Sequence, residues 1–154
     1  MLNYSRYSKI QSGFSAVEIM ITLIIIAIVC TATYPVFINA VMKSRRAEAR
    51  SALLSTMLLQ ENYYSLHTTY FAFNSETQNS PFNWWSGQSP ATSYYEMQAT
   101  QCANRSLGEC VLLTALPGTG KVKSNSDPVC GNLMLDSANN KSYSASQETN
   151  SACW

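Results

Sequence analysis

FSAVEIMITLIIIAIVCTATYPV, residues Phe14 to Val36, is the stretch on which the reading of this chain turns. No charged residue occurs from Ile19 to Met42, and Ile21 to Val29 is apolar except for Thr22. Wound as one helix, the stretch would extend about 35 Å, enough for a hydrocarbon core of about 30 Å. A strand is excluded, because the run is too long and carries no turn signal. A polar leader, Met1 to Gly13, precedes it with Arg6 and Lys9, and a basic cluster follows at Lys43, Arg45, Arg46 and Arg50. Residues 14–36 therefore read as a transmembrane segment. A cleaved secretory signal would end its apolar core sooner, at a small-x-small site. A plain single-span anchor leaves Glu18 unexplained, since a lone carboxylate in such a segment costs about 3 kcal/mol and normally has a partner.

The rest of the composition fits one small domain. The chain has 154 residues, 46% of them hydrophobic and only 12% charged, with a formal net charge of +1. That charged share is about half the usual one. Near-neutral charge with many aromatics argues against disorder and against a polybasic field spread along a nucleic acid.

Gly13-Phe14-Ser15-Ala16-Val17-Glu18-Ile19-Met20-Ile21 resembles the class III signal of type IV pilins and their pseudopilin relatives. The resemblance implies cleavage by a prepilin peptidase between Gly13 and Phe14, and N-methylation of Phe14. It also implies an assembly role for Glu18, whose carboxylate would pair with the Phe14 amine of a neighbouring subunit. Ser15 stands where the family usually has Thr, and Ala16 where it has a large aliphatic residue. Pro35 is a further match, and proline removes one helical donor and disturbs the preceding turn. The implied fold is α+β: a long N-terminal helix, its first half transmembrane, packed on a small antiparallel β-sheet head, the pilin ladle. Four regions follow: a prepilin leader over 1–13, the long helix over 14–66, a connecting loop over 67–93 and the sheet head over 94–154.

Beyond the apolar run, Ala49, Ala52, Thr56, Leu59, Tyr63 and Leu66 recur at spacings of three and four, broadened by Leu53, Met57 and Leu58, and predict the face that holds the head. The 67–93 loop is rich in Ser, Thr, Asn and Pro, and carries Phe71, Phe73, Phe82, Trp84 and Trp85, which are expected to pin it to the core. Strands are expected over 94–100, 109–115 and 131–136, with a turn back towards Tyr143. Four exported cysteines allow three pairings. The favoured ones are Cys102–Cys110, closing a short loop between strands, and Cys130–Cys153, tying down the C-terminal loop.

Catalysis has no candidate residues. Gly118-Thr119-Gly120-Lys121 lacks phosphate-loop spacing, His67 is the only histidine, and Asp127 with Asp136 is too thin for a calcium cage. No enzyme, metal or cofactor is expected. The main reading is a structural subunit of a type IV pilus, a minor pilin, for adhesion, twitching motility or DNA uptake. The alternatives are a type II secretion pseudopilin and a competence DNA-receptor pilin. Implied partners are other pilin subunits, the prepilin peptidase and N-methyltransferase, the inner-membrane assembly platform and membrane lipid. The expected location is the bacterial inner membrane before assembly, and an extracellular pilus or periplasmic pseudopilus after it. Over residues 51–154, four Lys plus Arg face seven acids. That balance opposes nucleic acid as a partner.

Overall fold

The computed structural model describes residues 13–145 and 153–154, with the backbone alone at 32, 33 and 35. Arg6, Lys9 and the rest of the leader before Gly13 lie outside the described residues. Helix α1 runs from Ala16 to His67, 52 residues. It starts where the Ser15 carbonyl accepts the Glu18 and Ile19 amides, with Glu18 in the first turn. It ends at Thr68, whose φ is 56° and whose amide donates to the Tyr64 carbonyl.

The chain forms two compact units, Met1–Asn39 and Ala40–Trp154. In the first, every described side chain is exposed, from Phe14 at 81% through Ile28 at 64% to Val36 at 69%. By length and hydropathy, no single helix among the described residues is long and apolar enough to cross a membrane. Ala16–Thr31 and Val36–His67 pass that test together, across a break that contains Pro35.

In the second unit, strands β1 (Tyr95–Gln101), β2 (Val111–Pro117), β3 (Leu133–Asp136) and β4 (Lys141–Tyr143) form one antiparallel sheet in the order β1-β2-β3-β4. Its register aligns Met97 with Ala115 and Ala115 with Leu133, and the next buried row is Ala99, Leu113 and Leu135. Large and small side chains thus alternate across the core face, the arrangement that close packing favours. Strand β2 begins two residues later than expected. Glu109 and Cys110 are held in a turn by the Ser106 carbonyl, so the ladder opens only at Val111. At the end of β2, Gly118 has φ 57°, and a Cβ there would lie 2.0 Å from the Asn125 carbonyl oxygen, so the close turn into the next loop requires glycine.

The helix stripe differs from the expected one. Ala49 and Leu53 are fully buried as expected, but Leu58, Leu59 and Leu66 are exposed at 66%, 52% and 79%. The inward places fall instead to Arg46, Ala49, Leu53 and Gln60, spaced at three, four and seven. Gln60 displaces the leucines because its amide copies a strand pairing: Nε2 donates to the Phe71 carbonyl at 2.7 Å, and Oε1 accepts the Phe71 amide at 2.9 Å. Those bonds anchor the returning chain to the helix and remove the cost of a buried amide.

The aromatic loop is pinned. Phe73 and Phe82 are buried, and Trp84 packs partly buried against the core. Phe73 bridges Ala99 and Trp85 bridges Glu96, so the loop covers the outer edge of β1. An edge covered this way is not open to pairing with another chain.

Candidate functional site

The expected processing and assembly residues sit at the start of the chain's exposed helix. Gly13 and Phe14 precede α1, and a Cβ at Gly13 would meet nothing within 4 Å. Phe14, Glu18, Ile19 and Thr22 line one shallow depression on the helix surface. Phe14 lies ahead of α1, and it borders the same depression as Glu18 in the helix's first turn. Pro35 lies within the helical backbone, and its side chain is outside the described residues.

The head carries a second constellation, centred on two consecutive arginines. Successive helical residues point about 100° apart, and Arg45 and Arg46 use that difference. Arg46 points into the core at 5% exposure, and its Nε and Nη2 donate to the two Asp127 carboxylate oxygens at 2.6 Å each. Asp127 also accepts the Tyr95 hydroxyl at 3.1 Å and the Cys130 amide at 3.0 Å, with the Val129 amide at 3.3 Å. Burial pushes the Asp127 carboxyl up, but the Arg46 bonds and the Cys130 amide outweigh it and hold it below its ordinary value. The hydrogen bond to Asp127 raises Arg46 in turn, and burial with the adjacent carboxylate raises the Tyr95 phenol. The cluster fixes the loop between β2 and β3 onto α1. It is structural chemistry, a fully satisfied ion pair.

Arg45 lies at the rim. Its guanidinium stands 4.0 Å from the centroid of the Tyr94 ring, and Nη1 donates to Asn125 Oδ1 at 3.0 Å. Lys123, exposed on the same β2–β3 loop, brings its ammonium to 5.4 Å from the same ring. Both distances are within the range of cation–π attraction. Lys121 turns away and pairs with Glu76 at 3.1 Å and Ser75 at 2.7 Å, so Lys121 and Lys123 do not act as one stripe. The unit from Ala40 to Trp154 carries eight Lys plus Arg against eight Asp plus Glu. Counting from residue 51 makes the head acidic only by omitting the end of α1 that belongs to it.

None of Arg45, Arg46, Tyr94 or Tyr95 was apparent as a site from sequence. The available signal was Arg46 at helical spacing before Ala49 and Leu53, a charge in a core position that demands a buried acid. Two disulfides, Cys102–Cys110 and Cys130–Cys153, close the loop before β2 and fasten the C-terminus. The second shares its turn with Asp127, since the Gly131 amide donates to the Asp127 carbonyl at 2.8 Å.

Residues 35–134 match a protein-family model described as type IV minor pilin ComP, DNA uptake sequence receptor. The chain belongs to this family of type IV minor pilins. The minor pilin is thus a structural subunit of a type IV pilus, with a pilus- or membrane-associated location, in association with other pilin subunits. Its family is a structural one. Similar solved structures include a type IV pilin from Shewanella oneidensis, 27% identical, covering 73% of this chain and 96% of that one with a TM-score of 0.43. Another is the non-core minor pilin PilV of Neisseria meningitidis, 18% identical, covering 70% and 90% with a TM-score of 0.44. No curated protein matches the minor pilin.

Proposed function

We propose that the minor pilin waits in the inner membrane through residues 14–36, is cut between Gly13 and Phe14 by a prepilin peptidase, and is N-methylated at Phe14. It then enters the filament through α1 by way of the assembly platform. The observation that carries this reading is the exposure of every described side chain from Phe14 to Asn39, with Glu18 the one charge among them. So large an apolar surface requires lipid or other helices around it. An amine released at Phe14 supplies the opposite charge that Glu18 needs in either medium, and pairing between subunits sets axial register. Glu18→Val tests it. The variant should accumulate in membranes, processed, while its incorporation into sheared filaments falls at least tenfold. Wild-type incorporation of Glu18→Val would defeat the reading.

A second reading is favoured by the family's own description: the minor pilin acts as a competence receptor for DNA. The neutral balance of the unit from Ala40 onward removes the electrostatic objection to it. Binding of duplex DNA by the purified full chain in detergent, measured at low salt by fluorescence anisotropy, tests this reading. Absence of binding there would refute it.

A further inference from the structure

We propose that Arg45 and Lys123, seated on Tyr94, are the point where the minor pilin grips a DNA backbone, through phosphate contacts that carry no sequence information. This rests on the receptor reading above.

The side chains decide the mode of contact. Among the described residues the ion pairs are Arg46–Asp127 and Lys121–Glu76, and neither Arg45 nor Lys123 takes part in one. They come from elements far apart in sequence, the helix and the β2–β3 loop, yet converge on one ring at 4.0 and 5.4 Å. Each residue is also held by a bond to another part of the head. Arg45 is tied to Asn125, and the Lys123 amide donates to the Ser93 carbonyl at 2.9 Å. Two positioned cations outside those ion pairs are suited to oxyanions, and arginine in particular to phosphate. Tyr94 is occupied in seating the cations, so it is not a platform for stacking bases. Contacts of this kind give affinity, salt dependence and register, and leave sequence to be read elsewhere.

Counterion release makes the consequence measurable. Each phosphate contact on duplex DNA contributes about −0.9 to the slope of log K against log salt. Lys123→Gln leaves the Ser93 bond intact, because that bond uses the main chain, and should make the slope shallower by about one. Arg45→Gln with Lys123→Gln should make it shallower by about two. Affinity should fall by the same factor for a preferred duplex and for its scrambled counterpart. The conservative pair Arg45→Lys with Lys123→Arg should keep the wild-type slope. The assay uses the full chain in detergent, with thermal melts confirming that each variant is folded.

The outcomes separate the two layers of the claim. If the wild type binds no DNA at low salt, the receptor reading fails and this site fails with it. If the wild type binds but Lys123→Gln and the double variant keep its slope, the receptor reading stands and this site is wrong. If the variants lose discrimination between the two duplexes, the contact reads bases and the proposal is overturned. If they bind DNA normally but enter filaments poorly, the cluster receives a neighbouring subunit's carboxylate, which also overturns it.

Discussion

Asp127→Ala should destabilise the head more than Arg46→Met does, and the difference follows from counting stranded groups. Removing the carboxylate leaves the Arg46 guanidinium, the Tyr95 hydroxyl and the Val129 and Cys130 amides without their acceptor. Removing the guanidinium leaves a carboxylate still held by the hydroxyl and both amides. Breaking a buried pair from one side costs about 3–5 kcal/mol. Arg46→Met belongs near about 3 kcal/mol and Asp127→Ala near about 5 kcal/mol on that scale. For a chain of this size each kcal/mol shifts Tm by about 2–4 °C, so the two variants should melt about 10 °C and about 15 °C lower. The assay is thermal unfolding of the oxidised full chain in detergent, followed by near-ultraviolet circular dichroism of the head's aromatics. The acid limb adds a second readout. Since the folded Asp127 carboxyl titrates below its unfolded value, its stabilisation is present above about pH 4 and is lost as pH falls through the folded pKa. Asp127→Ala should flatten that part of the stability profile. Equal Tm losses, or a larger loss for Arg46→Met, would refute the assignment of Asp127 as the hub.

Gly13→Val should leave full-length precursor in the membrane, and intact mass decides whether Phe14 still becomes an N-methylated terminus. Cys153→Ser opens a loop with a sequence separation of 23, which should cost about 3 kcal/mol. It should also leave membrane insertion unchanged, as judged by carbonate extraction alongside denaturant unfolding. Gly118→Ala places a methyl against the Asn125 backbone, so proteolysis of the β2–β3 loop should accelerate at least tenfold while the Cys102–Cys110 bridge remains intact in non-reducing peptide maps.

The helix, the strands and the two bridges were legible because each is written in local pattern. An apolar run, an alternation of Met97, Ala99 and their partners, Cys102 and Cys110 flanking two strands, and a cysteine next to the last residue need no knowledge of what lies opposite. The rest depends on pairings that local pattern does not encode. Gln60 displaces Leu59 from the core only because the Phe71 backbone comes to meet it. Arg46 reads as one of four membrane-flanking cations until Asp127, 81 residues later, is placed beneath it. A charge excluded from the core by composition rules is admitted once its partner is supplied, and sequence shows the partner without the proximity.

The two arginines also make the lock and the proposed grip interdependent. Lys123 and Asn125 sit on the loop whose far end Asp127 fastens to α1, and Arg45 is the next residue along the helix from Arg46. Any shift of that loop moves Lys123 and Asn125 relative to Tyr94, while Arg45 stays with the helix. The cation pair should therefore come apart when Asp127 is lost, even though neither cation is altered. Folded Asp127→Ala protein, assayed well below its Tm, should show a shallower salt dependence for DNA than wild type, approaching that of Lys123→Gln. Arg46→Met retains the Tyr95 hydroxyl bond that ties Asp127 to β1, with the Val129 and Cys130 amides holding the carboxylate in its turn, and so should keep most of the wild-type slope. A wild-type slope in folded Asp127→Ala would show that the loop holds Lys123 in place without its lock, and the coupling would be wrong while the contact itself could stand.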